Sequence, residues 1–86
     1  MLIQVLGPGC AKCSQLASNA ETAAKEVAAE TEGFEYVLEK VMDIVKIMSF
    51  DVIVTPALVL DDSVVSTGKL LTVAEVKAMI LEAKKA

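Results

Sequence analysis

Apolar residues first form a short continuous run, Leu2–Leu6, which ends at Gly7-Pro8-Gly9 and is typical of a buried strand. From Ala11 to Thr31 the apolar residues instead recur every three or four positions, as they do along one side of a helix. Gly33 follows this segment, at a place where glycine commonly ends a helix. The first half of the chain therefore predicts a strand and a long helix. The expected buried stripe of that helix consists of Leu16, Ala20, Ala23, Ala24, Val27 and Ala28.

The middle of the chain predicts a second strand and a short helix. Phe34–Val41 interleaves apolar and charged residues and is rich in side chains that favour strands. Asp43 then precedes an apolar segment and is suited to cap a short helix. The internal methionines are expected to fill the core or to lie close to it: Met42, Met48 and Met79.

A hairpin and a last helix close the chain. Ala57–Leu60 and Val64–Ser66 are apolar segments on either side of the polar turn Asp61-Asp62-Ser63. Thr72 is followed three residues later by Glu75, the spacing of a capping box, so the last helix is expected to begin there. The predicted element order is therefore β-α-β-α-β-β-α.

This order predicts an α/β fold with a mixed four-stranded sheet flanked by three helices. Strands separated by helices pair in parallel through crossovers, whereas the closing hairpin adds an antiparallel pair. A chain of 86 residues is expected to form a single domain, residues 1–86. The composition, 55% hydrophobic and 23% charged, excludes intrinsic disorder.

Charge and composition exclude two classes of partner. The net charge is −4, only 3% of the residues are aromatic, and basic residues occur singly except at Lys84-Lys85, so a nucleic-acid partner is not expected. The longest segment without a charge is Met1–Ala11, with 11 residues, whereas a membrane-spanning helix needs about 20 apolar ones. The N-terminus carries no basic run and no cleavage pattern. A cytoplasmic protein is expected.

The chain has two cysteines, Cys10 and Cys13, where the first strand ends and the first helix begins. The first N–H groups of a helix lack internal partners and carry partial positive charge, so they stabilise the thiolate, which is the reactive form of cysteine. Cys10, at the outer end of this turn, is expected to be the exposed nucleophile. Cys13, one helical turn further on, is expected to be the more buried resolving thiol. Their spacing brings the two sulfurs close enough for a disulfide.

The helix end by itself explains a reactive thiol only at the top of its range. Lowering the pKa of a thiol from about 8.5 to about 7 requires roughly 2 kcal/mol, and a helix end supplies about 0.3–1 kcal/mol, rising to ~2 kcal/mol when partly buried. A hydrogen bond from the Cys13 thiol and the charge of Lys12 are the expected supplements. Ala11 and Lys12, the two residues between the cysteines, are therefore the positions expected to tune the pKa of Cys10.

Two cysteines at this place can also have uses other than thiol–disulfide exchange. A structural zinc site needs four ligands, and the chain has two cysteines and no histidine. A structural disulfide across so short a loop constrains little of the unfolded chain. Inert core thiols, a two-coordinate site for a soft metal or metalloid, and a redox-responsive adaptor surface remain open alternatives.

The sequence resembles the thioredoxin superfamily, most of all its small single-domain members with a Gly-Pro-Gly-Cys-x-x-Cys opening. The resemblance covers essentially the whole chain and rests on three features: the Cys10–Cys13 pair after the first strand, Thr55-Pro56 directly before the strand Ala57–Leu60, and Gly68 after the hairpin. It implies a thioredoxin-like fold and a redox-active disulfide. It also implies a cis bond before Pro56, with the backbone of Thr55 available to pair with an extended substrate.

Three departures separate the chain from well-known members of that superfamily. Gly9 stands where thioredoxins carry tryptophan, and Gln4 stands where they carry a buried aspartate that assists proton transfer. The Gly-Gly-x-Asp pattern with which glutaredoxins bind glutathione is replaced by Ser66-Thr67-Gly68-Lys69. Neither the usual partners of thioredoxin nor glutathione follows from the resemblance.

The leading hypothesis is a thiol–disulfide oxidoreductase that serves electron transport and cell redox homeostasis. Its expected partners are disulfides of proteins or small molecules and an unidentified reductase, with the protein itself a monomer. Pro8 and Val54 are expected to form an apolar rim beside Thr55 and Pro56, where the substrate binds. The disulfide is itself the redox group, so neither a separate cofactor nor a metal is expected.

Overall fold

The computed structural model describes residues 1–85 of the chain. It confirms the predicted α/β fold, with a mixed four-stranded sheet and three helices. The elements in chain order are β1 (Leu2–Leu6), α1 (Ala11–Glu30), β2 (Val37–Val41), α2 (Ile44–Ser49), β3 (Ala57–Leu60), β4 (Ser63–Thr67) and α3 (Val73–Lys85).

The sheet has the strand order β2-β1-β3-β4. β1 is parallel to β2 and antiparallel to β3, and β3 is antiparallel to β4. Leu6 at the end of β1 is paired with Val41 on one side and with Ala57 on the other. The carboxyl end of β1 therefore meets the carboxyl end of β2 and the start of β3, and this common edge is called the site edge below.

Helices α1 and α3 pack on one face of the sheet over the larger of two hydrophobic clusters. The predicted stripe of α1 is buried except at Ala28, which is half-buried. Its alanines are small, so the helix axis lies close to its neighbours. At the far end of α1, Lys77 of α3 forms ion pairs with Glu26 and Glu30.

The opposite face is covered only in part, because α2 has six residues. The smaller cluster lies beneath it and consists of Leu6, Val41, Ile47, Val52, Ala57 and Val59. Ile47 is the buried side chain of α2. The prediction that Met42 and Met48 fill the core is therefore wrong, since they are 54% and 62% exposed. Met79 is partly buried against the larger cluster.

The boundaries of two strands differ from the predictions. β2 begins at Val37, and the preceding Phe34 and Tyr36 stack their rings with centroids 6.3 Å apart. β4 already begins at Ser63, so the turn of the hairpin is Asp61-Asp62, where both residues have positive φ. Aspartate tolerates this conformation better than most residues do.

The predicted helix caps are confirmed. The side chain of Asp43 accepts a hydrogen bond of 2.9 Å from the backbone N–H of Val45. At the start of α3, Thr72 and Glu75 each accept a hydrogen bond from the other's backbone N–H. Within residues 1–85 no helix combines the length and the apolar character that crossing a membrane requires.

Candidate functional site

Cys10 and Cys13 are joined by a disulfide at the start of α1, where the chain leaves the site edge. Cys10 is the N-cap residue of the helix, with an extended backbone. Its Sγ accepts a hydrogen bond of 3.2 Å from the backbone N–H of Cys13. The two Cα atoms are 5.0 Å apart, a distance typical of disulfides. Sγ of Cys10 therefore caps the helix and is also one of the two atoms of the disulfide bond.

The two cysteines differ in exposure, in the order that the sequence predicts. Cys10 is exposed, whereas only 5% of Cys13 is accessible. Cys13 packs directly on Gly7, where an added Cβ would overlap its Sγ. The backbone N–H of Gly7 in turn donates a hydrogen bond of 2.9 Å to the carbonyl of Val41. The buried sulfur thus rests on backbone that the sheet holds in place.

The first turn of α1 has no acidic side chain. Ala11 and Lys12, the residues between the cysteines, are both exposed. The partial positive charge of the first N–H groups is therefore not offset within this turn, and Lys12 adds a full positive charge beside it. Such surroundings favour a thiolate at Cys10 once the disulfide is reduced.

Thr55 and Pro56 lie at the same edge of the sheet, because Ala57, which follows them, is paired with Leu6. The Thr55–Pro56 peptide bond is cis. Pro56 is fully buried, and its carbonyl accepts a hydrogen bond of 2.8 Å from the backbone N–H of Gly68.

Val54 directly precedes Thr55 and packs close to Gly68, yet it remains 52% exposed. Gly68 has a φ of +68°, and a Cβ added there would lie 2.5 Å from Cγ1 of Val54. Gly68 therefore provides both the backbone conformation and the space that Val54 occupies.

An uncharged groove of about 270 Å³ lies among α2, the loop that precedes α1 and the segment that precedes β3. Its lining residues are Pro8, Ile44, Ile47, Met48, Val52, Ile53 and Thr55. Ile53 is 93% exposed. Apolar side chains that cluster on a surface in this way mark interaction sites. Ile44, Met48 and Ile53 were not predicted as site residues, although the apolar run Val52-Ile53-Val54 before Thr55 was a usable signal.

Gln4, six residues before Cys10, is 8% exposed. Its Nε2 donates a hydrogen bond of 3.2 Å to Oε1 of Glu39 on β2. Its own Oε1 has no partner among the described residues. Because an amide does not titrate, this position supplies no buried acid or base to the cysteines.

A smaller cavity, of about 60 Å³, lies behind the disulfide on the side of α1. It is lined by Val5, Gly7, Gly9, Cys13, Ser14, Lys40 and Met42. Met42 packs over Gly9: a Cβ on that glycine, which has a φ of +98°, would be 2.8 Å from the methyl group of Met42. No pattern in the sequence connects Lys40 or Met42 with the cysteines.

A mixed sheet with the order β2-β1-β3-β4, a Cys-x-x-Cys disulfide at the start of the first helix and an X-Pro bond before β3 together define a thioredoxin-like protein. A family model described as "Thioredoxin domain" matches residues 1–81. The chain belongs to the thioredoxin family, which supports a thiol–disulfide redox role.

Two proteins named thioredoxin are similar to the chain. One, from Methanocaldococcus jannaschii, is 35% identical over 77 residues, which cover 90% of this chain and 83% of the relative. The other, from Methanothermobacter thermautotrophicus, is 30% identical over 80 residues, which cover 93% of this chain and 97% of the relative. No solved structure gives a significant match.

Within the described residues, no group of three or more cysteine, histidine, aspartate or glutamate side chains is arranged to hold a metal ion.

Proposed function

We propose that this protein is a thiol–disulfide oxidoreductase that exchanges its Cys10–Cys13 pair with disulfides of proteins or small molecules. The observation that carries the proposal is the disulfide itself, with one sulfur exposed at the start of a helix and the other buried behind it. We further propose that the protein acts in the cytoplasm as a monomer and that a separate reductase restores the dithiol.

In the first step the thiolate of Cys10 attacks one sulfur of the substrate disulfide. A bond forms between Cys10 and that sulfur, and the second substrate sulfur leaves as a thiolate that takes a proton from solvent. The exposure of Cys10 and the partial positive charge of the first turn of α1 support this role. Lys12 adds to that charge and Ala11 leaves the approach to the sulfur open.

In the second step Cys13 loses its proton and attacks the sulfur of Cys10. The intramolecular disulfide forms and the remaining substrate sulfur leaves as a thiolate, so two electrons pass from the protein to the substrate. The short Cα–Cα distance of 5.0 Å supports this assignment, because little backbone movement is needed.

The substrate is proposed to bind as an extended segment along Thr55 and Pro56. The backbone of Thr55 would pair with the segment, as the family resemblance implies. Pro8 and Val54 would provide apolar contact on either side of Cys10, and the uncharged groove continues that contact toward α2.

Insulin reduction by dithiothreitol tests the proposal when the wild type is compared with Cys10→Ser and Cys13→Ser. Both variants lack the disulfide, so a difference between them reports the thiol of Cys10 rather than lost stability. We expect Cys10→Ser to fall to the uncatalysed rate. Cys13→Ser, reduced beforehand and mixed with insulin without dithiothreitol, should instead accumulate a mixed disulfide, visible by mass spectrometry. Equal rates for wild type and Cys10→Ser would overturn the proposal.

A further inference from the structure

The cavity behind the disulfide brings one charged side chain to the buried cysteine. Besides Cys13, Lys40 is the only ionisable residue among those that line it. Lys40 is in register with Val5 across the β1–β2 pair, and Val5 also lines the cavity. The neighbouring residue, Glu39, lies on the opposite face of the sheet, where it accepts a hydrogen bond from Gln4.

We propose that Lys40 is a positioning residue for proton transfer at Cys13. Its positive charge, carried by a residue that lines the same cavity, stabilises the thiolate of Cys13, and the cavity admits the solvent water that accepts the thiol proton. This inference rests on the proposed function, because it concerns the step in which Cys13 attacks Cys10.

Protons and electrons balance in this step. The proton of the Cys13 thiol passes to a water molecule, and the resulting thiolate displaces the substrate sulfur from Cys10. That sulfur leaves as a thiolate and is protonated by solvent, so no proton is gained or lost overall. Lys40 keeps its own proton throughout and acts through its charge alone.

The burial of Cys13 makes a nearby positive charge useful for the formation of its thiolate. Cys13 is 5% exposed, and burial of a thiol disfavours its charged form. Gln4, which lies beneath the site edge, has no ionisable group to offset this cost. A cavity of about 60 Å³ is large enough to admit water, and its polar contributors include Ser14 and Lys40.

Elements around Cys13 carry other charged side chains among residues 1–85. Lys12, on the first turn of α1, lies beside Cys10 and is exposed. Glu21 of α1 lines a neighbouring groove together with Lys40, but it is also paired with Lys25 at 3.6 Å. Asp43, which follows β2, is engaged as the cap of α2. Lys40 is exposed as well, but it is the cation among the residues that line the cavity together with Cys13.

The test uses Cys10→Ser as the parent, because its single thiol is Cys13. The absorbance of the thiolate near 240 nm is followed against pH in the parent and in Lys40→Met and Lys40→Arg. We expect Lys40→Met to move the titration to higher pH, so that the thiolate fraction at pH 7 falls about threefold to tenfold. Lys40→Arg, which retains the charge, should stay close to the parent.

Lys84→Met serves as the matched control, since it removes an exposed charge near the end of α3, and its titration should coincide with that of the parent. Circular dichroism checks folding, and Lys40→Gln replaces Lys40→Met if the methionine variant is unfolded. Coincident titrations of the parent and the charge-removing variant would overturn the inference. Because this measurement needs no turnover, it is independent of insulin reduction, which tests the proposed function.

Discussion

Gly7 and Cys13 touch so closely that no side chain fits between them: a Cβ on Gly7 would overlap Sγ of Cys13. The glycine is needed here for space, because it lies between the end of β1 and the start of the helix that carries the disulfide. The backbone of the site edge therefore forms the floor under the buried sulfur.

Gly7→Ala is expected to lower the free energy of unfolding of the oxidised protein by about 1–3 kcal/mol, because the added methyl group overpacks a close contact. Urea unfolding monitored by circular dichroism measures the change.

Cys13→Ala provides the partner for a double-mutant cycle, since it removes Sγ, the side-chain atom of Cys13 nearest to the new methyl group, and keeps Cβ, which is 2.9 Å away. The cost of Gly7→Ala should be clearly smaller in the Cys13→Ala background. An equal cost in both backgrounds would show that the contact with sulfur is not the cause.

Val54→Asp is expected to lower kcat/KM for reduction of insulin about tenfold, equivalent to about 1.4 kcal/mol, because a carboxylate replaces apolar contact beside the proposed substrate segment. With a small disulfide such as hydroxyethyl disulfide, which makes little contact beyond its sulfurs, the change should be small.

Val37→Asp is the control for that experiment. Val37 is similarly exposed, 62% against 52% for Val54, but it is paired with Leu2 at the opposite end of the sheet. Equal losses in the two variants would argue against a substrate contact at Val54.

Glu75→Gln is expected to change how stability depends on pH. Hydrogen bonds from the backbone and side chain of Thr72, with a smaller contribution from Lys69, lower the pKa of Glu75 below its ordinary value of 4.5. A carboxylate whose pKa is lowered by folding stabilises the protein above that ordinary value, and the contribution is lost as the pH falls through the folded-state pKa.

The wild type should therefore be more stable than Glu75→Gln at pH 7, and the difference should shrink as the pH falls below 4.5. Urea unfolding at a series of pH values measures it. Glutamine keeps the acceptor of the capping box, so the comparison isolates the charge. A difference that stayed constant as the pH fell below 4.5, as far as the protein remains folded, would contradict the assignment.

The sequence was sufficient to predict the elements whose signals are local. The apolar run Leu2–Leu6, the stripe on α1 and the capping pair Thr72 and Glu75 depend on spacing along the chain, and each is where the sequence predicts it. The Cys-x-x-Cys motif was equally local, and its place between a strand and a helix followed from the same pattern.

Contacts between distant segments could not be predicted in this way. Met42 and Met48 were expected in the core, because a hydrophobic pattern indicates which side chains are apolar but not whether another element covers them. The six residues of α2 leave them exposed. That Lys40 and Cys13 line the same cavity depends on the register of β2 against β1, which no periodicity in the sequence specifies.

The alanines that α1 buries have a mechanical consequence for the chemistry. Ala20, Ala23 and Ala24 are fully inaccessible to solvent. A larger side chain at any of them therefore has to displace α1 from the core on which it packs. Cys10 and Cys13 are at the first turn of the same helix. Enlarging a residue two or three turns away would therefore tilt the sulfurs relative to Thr55 and Pro56, and reactivity could be altered by a change that touches neither thiol.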